Sequence, residues 1–191
     1  MCGYVWAAAF GGKLPERVCG QILCPQISHP ETCLGKTNIR IEIPIKNEKD
    51  RQTYFGALEY QTKEFIVQEY SAGNGENTVA FIEHLQQQRP GQRIVLIWDG
   101  VSYHKSDEVK DFLASVNAGQ DAMQWQVTCI LFALNAPEQN PLEDVWLQTK
   151  NFIRKFWLLC KSFPVVKWLF KFFTNHQRFD FTKLEQYKKR S

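Results

Sequence analysis

The chain has 191 residues, 44% hydrophobic and 23% charged, a composition that suits one globular domain and excludes a fibrous or wholly disordered chain. Its net charge of +3 is too small to demand a nucleic-acid partner, and no apolar run approaches the ~18 residues that a membrane span needs. The charge is uneven, however: residues 151–191 hold ten basic side chains against two acids, Asp180 and Glu185, and such a basic tail suits an anionic partner.

Residues 1–34 are punctuated by Gly3, Gly11, Gly12, Gly20, Pro15, Pro25 and Pro30, and no period holds, which predicts irregular chain. Cys19, Cys24, His29 and Cys33 stand in this stretch at spacings looser than most zinc sites use, so they are read as incidental thiols. The six cysteines follow no secretory leader, and free thiols in a cytoplasmic protein are expected.

From residue 39 the pattern turns periodic. Ile39, Ile41, Ile43 and Ile45 alternate with Arg40, Glu42 and Pro44, the mark of a half-buried strand near an edge. Residues 51–60 and 64–70 are rich in β-formers, with Gln61, Thr62 and Lys63 between them, which predicts antiparallel strands. Gly73, Asn74 and Gly75 end that unit. A helix capped by Asn77 or Thr78 then runs to about Gln88, with Val79, Phe81, Ile82 and Leu85 on one face, and Pro90-Gly91 stops it. Residues 93–98 form a short apolar run of the kind found inside a sheet, with Asp99-Gly100 at its C-terminal end. A second helix starts near Ser106, and a strand spans 126–132. A long helix opens at Asn140-Pro141 and runs to about Trp157, and Pro164 starts one more aromatic helix. Strands first and alternation after give a mixed sheet with helices packed on it.

Two carboxylates stand where chemistry is usually sited. Asp99 is at the C-terminal end of a buried strand, the edge at which open α/β sheets bind ligands. Glu143 is the third residue after Asn140, in the first turn of a helix. There it can close a capping box or point off the helix end toward a cation, and one carboxylate cannot fully do both.

The stretch Trp98-Asp99-Gly100-Val101-Ser102-Tyr103-His104-Lys105-Ser106 resembles the second-Asp motif of bacterial insertion-sequence DDE transposases of the mariner superfamily. The stretch Asn140-Pro141-Leu142-Glu143-Asp144-Val145-Trp146 resembles the same family's third-carboxylate motif. The resemblance covers roughly residues 35–180. It implies an α/β, RNase H-like mixed sheet flanked by helices, with the first strand incomplete or missing. The implied divisions are an irregular segment over 1–34 with an insertion over 7–34, a partial catalytic core over 35–160, and a basic aromatic helical tail over 161–191.

It further implies metal-dependent phosphodiester cleavage and strand transfer, with Asp99 and Glu143 as catalytic ligands of Mg²⁺ or Mn²⁺. His104 becomes a candidate to support Asp99 or a phosphate. Lys105, Lys161, Lys167 and Lys171 become candidates for contact with DNA phosphates. The expected partners are double-stranded transposon ends and a second copy of the chain, with no membrane. The family's first carboxylate would fall about ten residues before Cys2-Gly3-Tyr4-Val5-Trp6, ahead of Met1. A truncated, weakly active or inactive transposase is therefore expected. The alternative is a non-catalytic DNA-binding or oligomerisation module that modulates a full-length transposase. Glu42 and Glu59 are the acids on strands that could stand in for the missing one.

Overall fold

The structure is a computed structural model. It describes residues 52–132, 140–175 and 178–179, with only the backbone of Trp157, and the backbone path of 4–13. Among the described residues nine strands and α-helices follow one another: β1 (Tyr4–Lys13), β2 (Thr53–Glu59), β3 (Phe65–Tyr70), α1 (Gly75–Gln88), β4 (Ile94–Trp98), α2 (Asp107–Val116), β5 (Val127–Leu131), α3 (Pro141–Lys155) and α4 (Phe163–Thr174). The strands form one mixed sheet in the order β3-β2-β1-β4-β5. β1, β2 and β3 pair antiparallel, while β4 runs parallel to both β1 and β5.

The hairpin between β2 and β3 is tight because Lys63 takes a left-handed backbone (φ 61°), which lets its N–H reach the Glu59 carbonyl at 2.8 Å. Buried Glu59 accepts hydrogen bonds from Thr62 at 2.7 Å and from Arg89 at 3.1 Å, and Arg89 also grips Glu64. The end of α1 is thereby tied to the hairpin.

β2 is buried along its whole length and feeds a core on each face of the sheet. Tyr54 and Leu58 join Phe65, Leu142, Val145, Trp146, Ile153, Leu169 and Phe170 under α3 and α4. Phe55 and Ala57, one position out of phase, join Phe81, Ile82, Leu85, Leu96, Trp98 and Val109 beneath α1 and α2. This is the two-residue period of a strand covered on both faces. β4 departs from its expected covering: Ile94, Leu96 and Trp98 are buried, while Val95 and Ile97 are half-buried on the α3 face.

Two expectations change. Tyr4–Lys13, inside the stretch read as irregular, is a strand, and it fills the centre of the sheet, so the first strand of this sheet is present. Tyr4, Val5, Trp6 and Phe10 are β-formers and the segment has no acid, which suits a strand flanked on both sides. No local period announced it, because its partners lie forty or more residues away. Helix α1 is capped by Asn74, whose side chain accepts from the Asn77 N–H at 2.9 Å. The strand expected over Ile39 to Ile45 lies outside the described residues, as do Glu42 and the Cys19, Cys24, His29 and Cys33 group. No helix among the described residues is long and apolar enough to cross a membrane.

Candidate active site

Asp99 follows the last residue of β4, and a short turn of 3₁₀ helix, Ser102–Lys105, carries the chain on to α2. Gly75 brings this turn against the start of α1: a Cβ at that position would come within 2.2 Å of the Ser106 hydroxyl and 2.5 Å of the Glu108 carboxylate. Only a glycine permits so close an approach.

The turn returns His104 to the Asp99 side chain. His104 Nδ1 is 2.9 Å from the Asp99 carbonyl oxygen and 3.2 Å from its Oδ1. Both are acceptors, so Nδ1 carries the hydrogen and donates. The Val101 N–H donates to the same Oδ1 at 3.3 Å. Beneath this, the buried His104 ring lies flat on Trp98, with centroids 4.4 Å apart and planes 7° from parallel. One oxygen of Asp99 is thus held, while the side chain stays 38% exposed. Sequence reasoning found His104 but missed its platform, Trp98, although the one-residue spacing between Trp98 and Asp99 was there to be read. Tyr103 packs edge-on to His104, and burial, with a smaller push from Asp99, raises its hydroxyl to about 12. It stays protonated at neutral pH.

Glu143 lies in the first turn of α3. Asn140 caps that helix alone, accepting from the Leu142 N–H at 3.1 Å, and Pro141 occupies the first turn. The capping box that competed for Glu143 is not formed: its carboxylate is exposed and makes no hydrogen bond or ion pair among the described residues. α3 packs against β1 and β2. Trp146, one turn beyond Glu143, rests on Gly56 of β2, where a Cβ would come within 3.1 Å of its ring. Glu143 is thereby set on the face of the sheet opposite α1 and α2.

The basic candidates divide. Lys105, the last residue of the His104 turn, and Lys161 are exposed and make no ion pair among the described residues. Lys167 is bonded to Gln52 at 2.9 Å and to Glu69, and Lys171 reaches Glu69 at 2.7 Å. These two lysines join α4 to β3.

The metal pair that the motif resemblance implies does not fit the side chains present. Among the described residues no group of three His, Cys, Asp or Glu could hold a metal ion. β1, beside β4, has no acid in its ten residues. Glu59, the acid on β2, is bonded through Oε2 to Thr62 and Arg89 and lies level with Trp6 and Leu96, three residues short of Asp99 along the sheet, so it does not substitute.

Comparison with known proteins identifies the fold. The structure is similar to Mos1 transposase in its strand transfer complex, with 13% identity and a TM-score of 0.58 over 97% of this chain and 52% of that one. It is also similar to Mos1 transposase in its paired-end complex with the left transposon end, with 13% identity and a TM-score of 0.55 over 91% of this chain and 48% of that one. The catalytic core domain of HTLV-2 integrase in complex with magnesium matches with 11% identity and a TM-score of 0.51, over 91% of this chain and 84% of that one. The chain spans about half the length of the Mos1 transposase chains. These likenesses establish the expected RNase H-like fold. No curated protein matches by sequence. The family model described as DDE superfamily endonuclease matches residues 35–160, most of the chain, and the protein therefore belongs to the DDE superfamily endonucleases.

Proposed function

We propose that this chain is the endonuclease domain of a mariner-superfamily DDE transposase of the bacterial insertion-sequence branch, in a weakly active or inactive form. Its ancestral chemistry is cleavage and strand transfer at transposon ends. Asp99 and Glu143 are its second and third acids. The observation that carries the reading is that two accessible carboxylates, Asp99 at the end of β4 and Glu143 in the first turn of α3, are each left open by their own turn, with an acid-free strand next to β4. In this family divalent metal ions do the work on the phosphodiester. The chain's own contribution is to hold Asp99 Oδ1 through His104 and Val101, and to present Glu143 free of its cap. A cytoplasmic setting and a homodimer belong to the same reading.

Lys105 and Lys161 are proposed as its contacts with DNA phosphates. A non-catalytic DNA-binding module is less well supported, because Lys167 and Lys171 are spent on Glu69. Nicking of double-stranded DNA in Mg²⁺ or Mn²⁺ tests the proposal. Wild type is expected to nick at most a small fraction, and Asp99→Ala and Glu143→Gln should abolish that fraction. Robust metal-dependent nicking that survives Asp99→Ala defeats it.

A further inference from the structure

We infer that position 9, an alanine, is the seat at which a third carboxylate would complete the acidic site, and that this alanine is what leaves Asp99 and Glu143 short of a divalent-cation site. The inference rests on the reading of those two acids given above, and it adds a location.

Two ladders fix the place independently. On one side β1 runs parallel to β4 with Ala8 level with Trp98, so the next position, Ala9, stands level with Asp99. On the other side β1 runs antiparallel to β2 with Ala9 directly opposite Gly56.

The face follows from the same two strands. Gly56 alternates with Phe55 and Ala57, which belong to the core under α1 and α2. It lies instead with Tyr54 and Leu58 on the α3 face, where a Cβ would come 2.7 Å from the Phe65 ring and 3.1 Å from Trp146. Directly opposed positions of an antiparallel pair share a face, so position 9 is on the α3 face. Along β4, Leu96 and Trp98 belong to the α1 and α2 core, and one further step of the backbone alternation past Trp98, the last residue of the strand, would put position 99 on the α3 face, with Oδ1 turned back to His104 at the end of the sheet. The two ladders agree.

Position 9 is therefore about 4.8 Å from position 99, one strand spacing. It lies next to Gly56, the residue on which Trp146 rests three places after Glu143. Any other position of β1 misses one of these conditions: Ala8 and Phe10 are on the wrong face, and Ala7 pairs with Ile97, two residues before Asp99. Cation affinity of oxygen-ligand sites is set largely by the number of charged ligands, so an uncharged residue here removes a main determinant.

Mn²⁺ binding to the full chain, followed by electron paramagnetic resonance without DNA, tests the inference apart from any nuclease activity. Ala9→Asp should tighten Mn²⁺ binding about tenfold or more, and Asp99→Asn in the same chain should cancel the gain. A folded Ala9→Asp with no gain, or a gain that Asp99→Asn leaves intact, overturns the inference. A gain that needs Asp99 and ignores Glu143→Gln upholds position 9 and removes Glu143 from the proposed function.

Because an added acid can prevent folding, a cysteine pair supplies a charge-free check. Ala9→Cys with Asp99→Cys should oxidise to a disulfide located by mass spectrometry. Ala8→Cys with Asp99→Cys should not, since those positions face opposite ways. The reverse pattern overturns the register on which the inference stands.

Discussion

At the scale of single residues, His104 carries more structure than any other polar group near the candidate site. Its ring buries one face on Trp98 and spends its Nδ1 hydrogen on Asp99. Truncation removes both at once: it opens a void against an indole and releases the loop that positions the carboxylate. His104→Ala is therefore expected to lower unfolding free energy by about 2–3 kcal/mol, the sum of a cavity and a lost buried hydrogen bond. Urea denaturation measures it. A loss under about 0.5 kcal/mol, the scale of ordinary surface substitutions, would mean that the turn holds its shape without the ring. Residues of this kind were partly legible in the sequence. The Asp99 to His104 spacing marked a turn worth attention, and Asn140-Pro141 marked a helix start. What the sequence left open was whether Glu143 would be spent on its own helix. That depended on whether the Asn140 side chain could cap alone, which is a matter of local geometry.

At the scale of elements, α4 shows where a charge count misleads. Its basic residues looked like an anion-binding tail, yet Lys167 and Lys171 converge on one carboxylate of β3. The other side of α4, with Val166, Leu169 and Phe170, is buried in the core beneath α3. Sequence periodicity located the helix correctly but could not name its partner, since Glu69 lies nearly a hundred residues away. Burial pushes the Glu69 carboxyl up, but bonds to Lys167 and then Lys171 outweigh it, and the group sits below its usual 4.5. The unfolded chain therefore takes up the proton first as pH falls. The stability contributed by this cluster is complete above about 4.5 and is lost as pH drops through the lower folded value. Both carboxylate and lysines are partly exposed, so the contribution is about 1 kcal/mol or less. Glu69→Gln should remove that part of the stability at pH 7 and narrow the difference from wild type near pH 3. An undiminished difference at low pH would mean that the charge is not what Glu69 supplies.

At the scale of the whole molecule, most of the fold was legible and its centre was not. The strands and helices from residue 53 to residue 174 fall close to where hydrophobic period and capping residues put them, because those signals are local. β1 escaped because what makes Tyr4–Lys13 a strand is a pair of neighbours distant in sequence, β2 and β4. The seat inferred at position 9, where the motif resemblance had put the absent acid ahead of Met1, was hidden for the same reason, being a relation among three strands.

The shared strand β2 also has an energetic consequence. Tyr54 stacks on Phe170 with centroids 4.0 Å apart in one core, while its neighbour Phe55 packs against Phe81 and Tyr103 in the other. A disturbance in either core must pass through β2, so the two are expected to unfold as one unit. Phe170→Ala should cost about 3–5 kcal/mol through the cavity it leaves. Native-state hydrogen exchange should then show slow amides of α1 and β4 losing as much protection as those of α3. If α1 keeps its wild-type protection while α3 loses it, the cores open separately, and the continuity of β2 does not couple them.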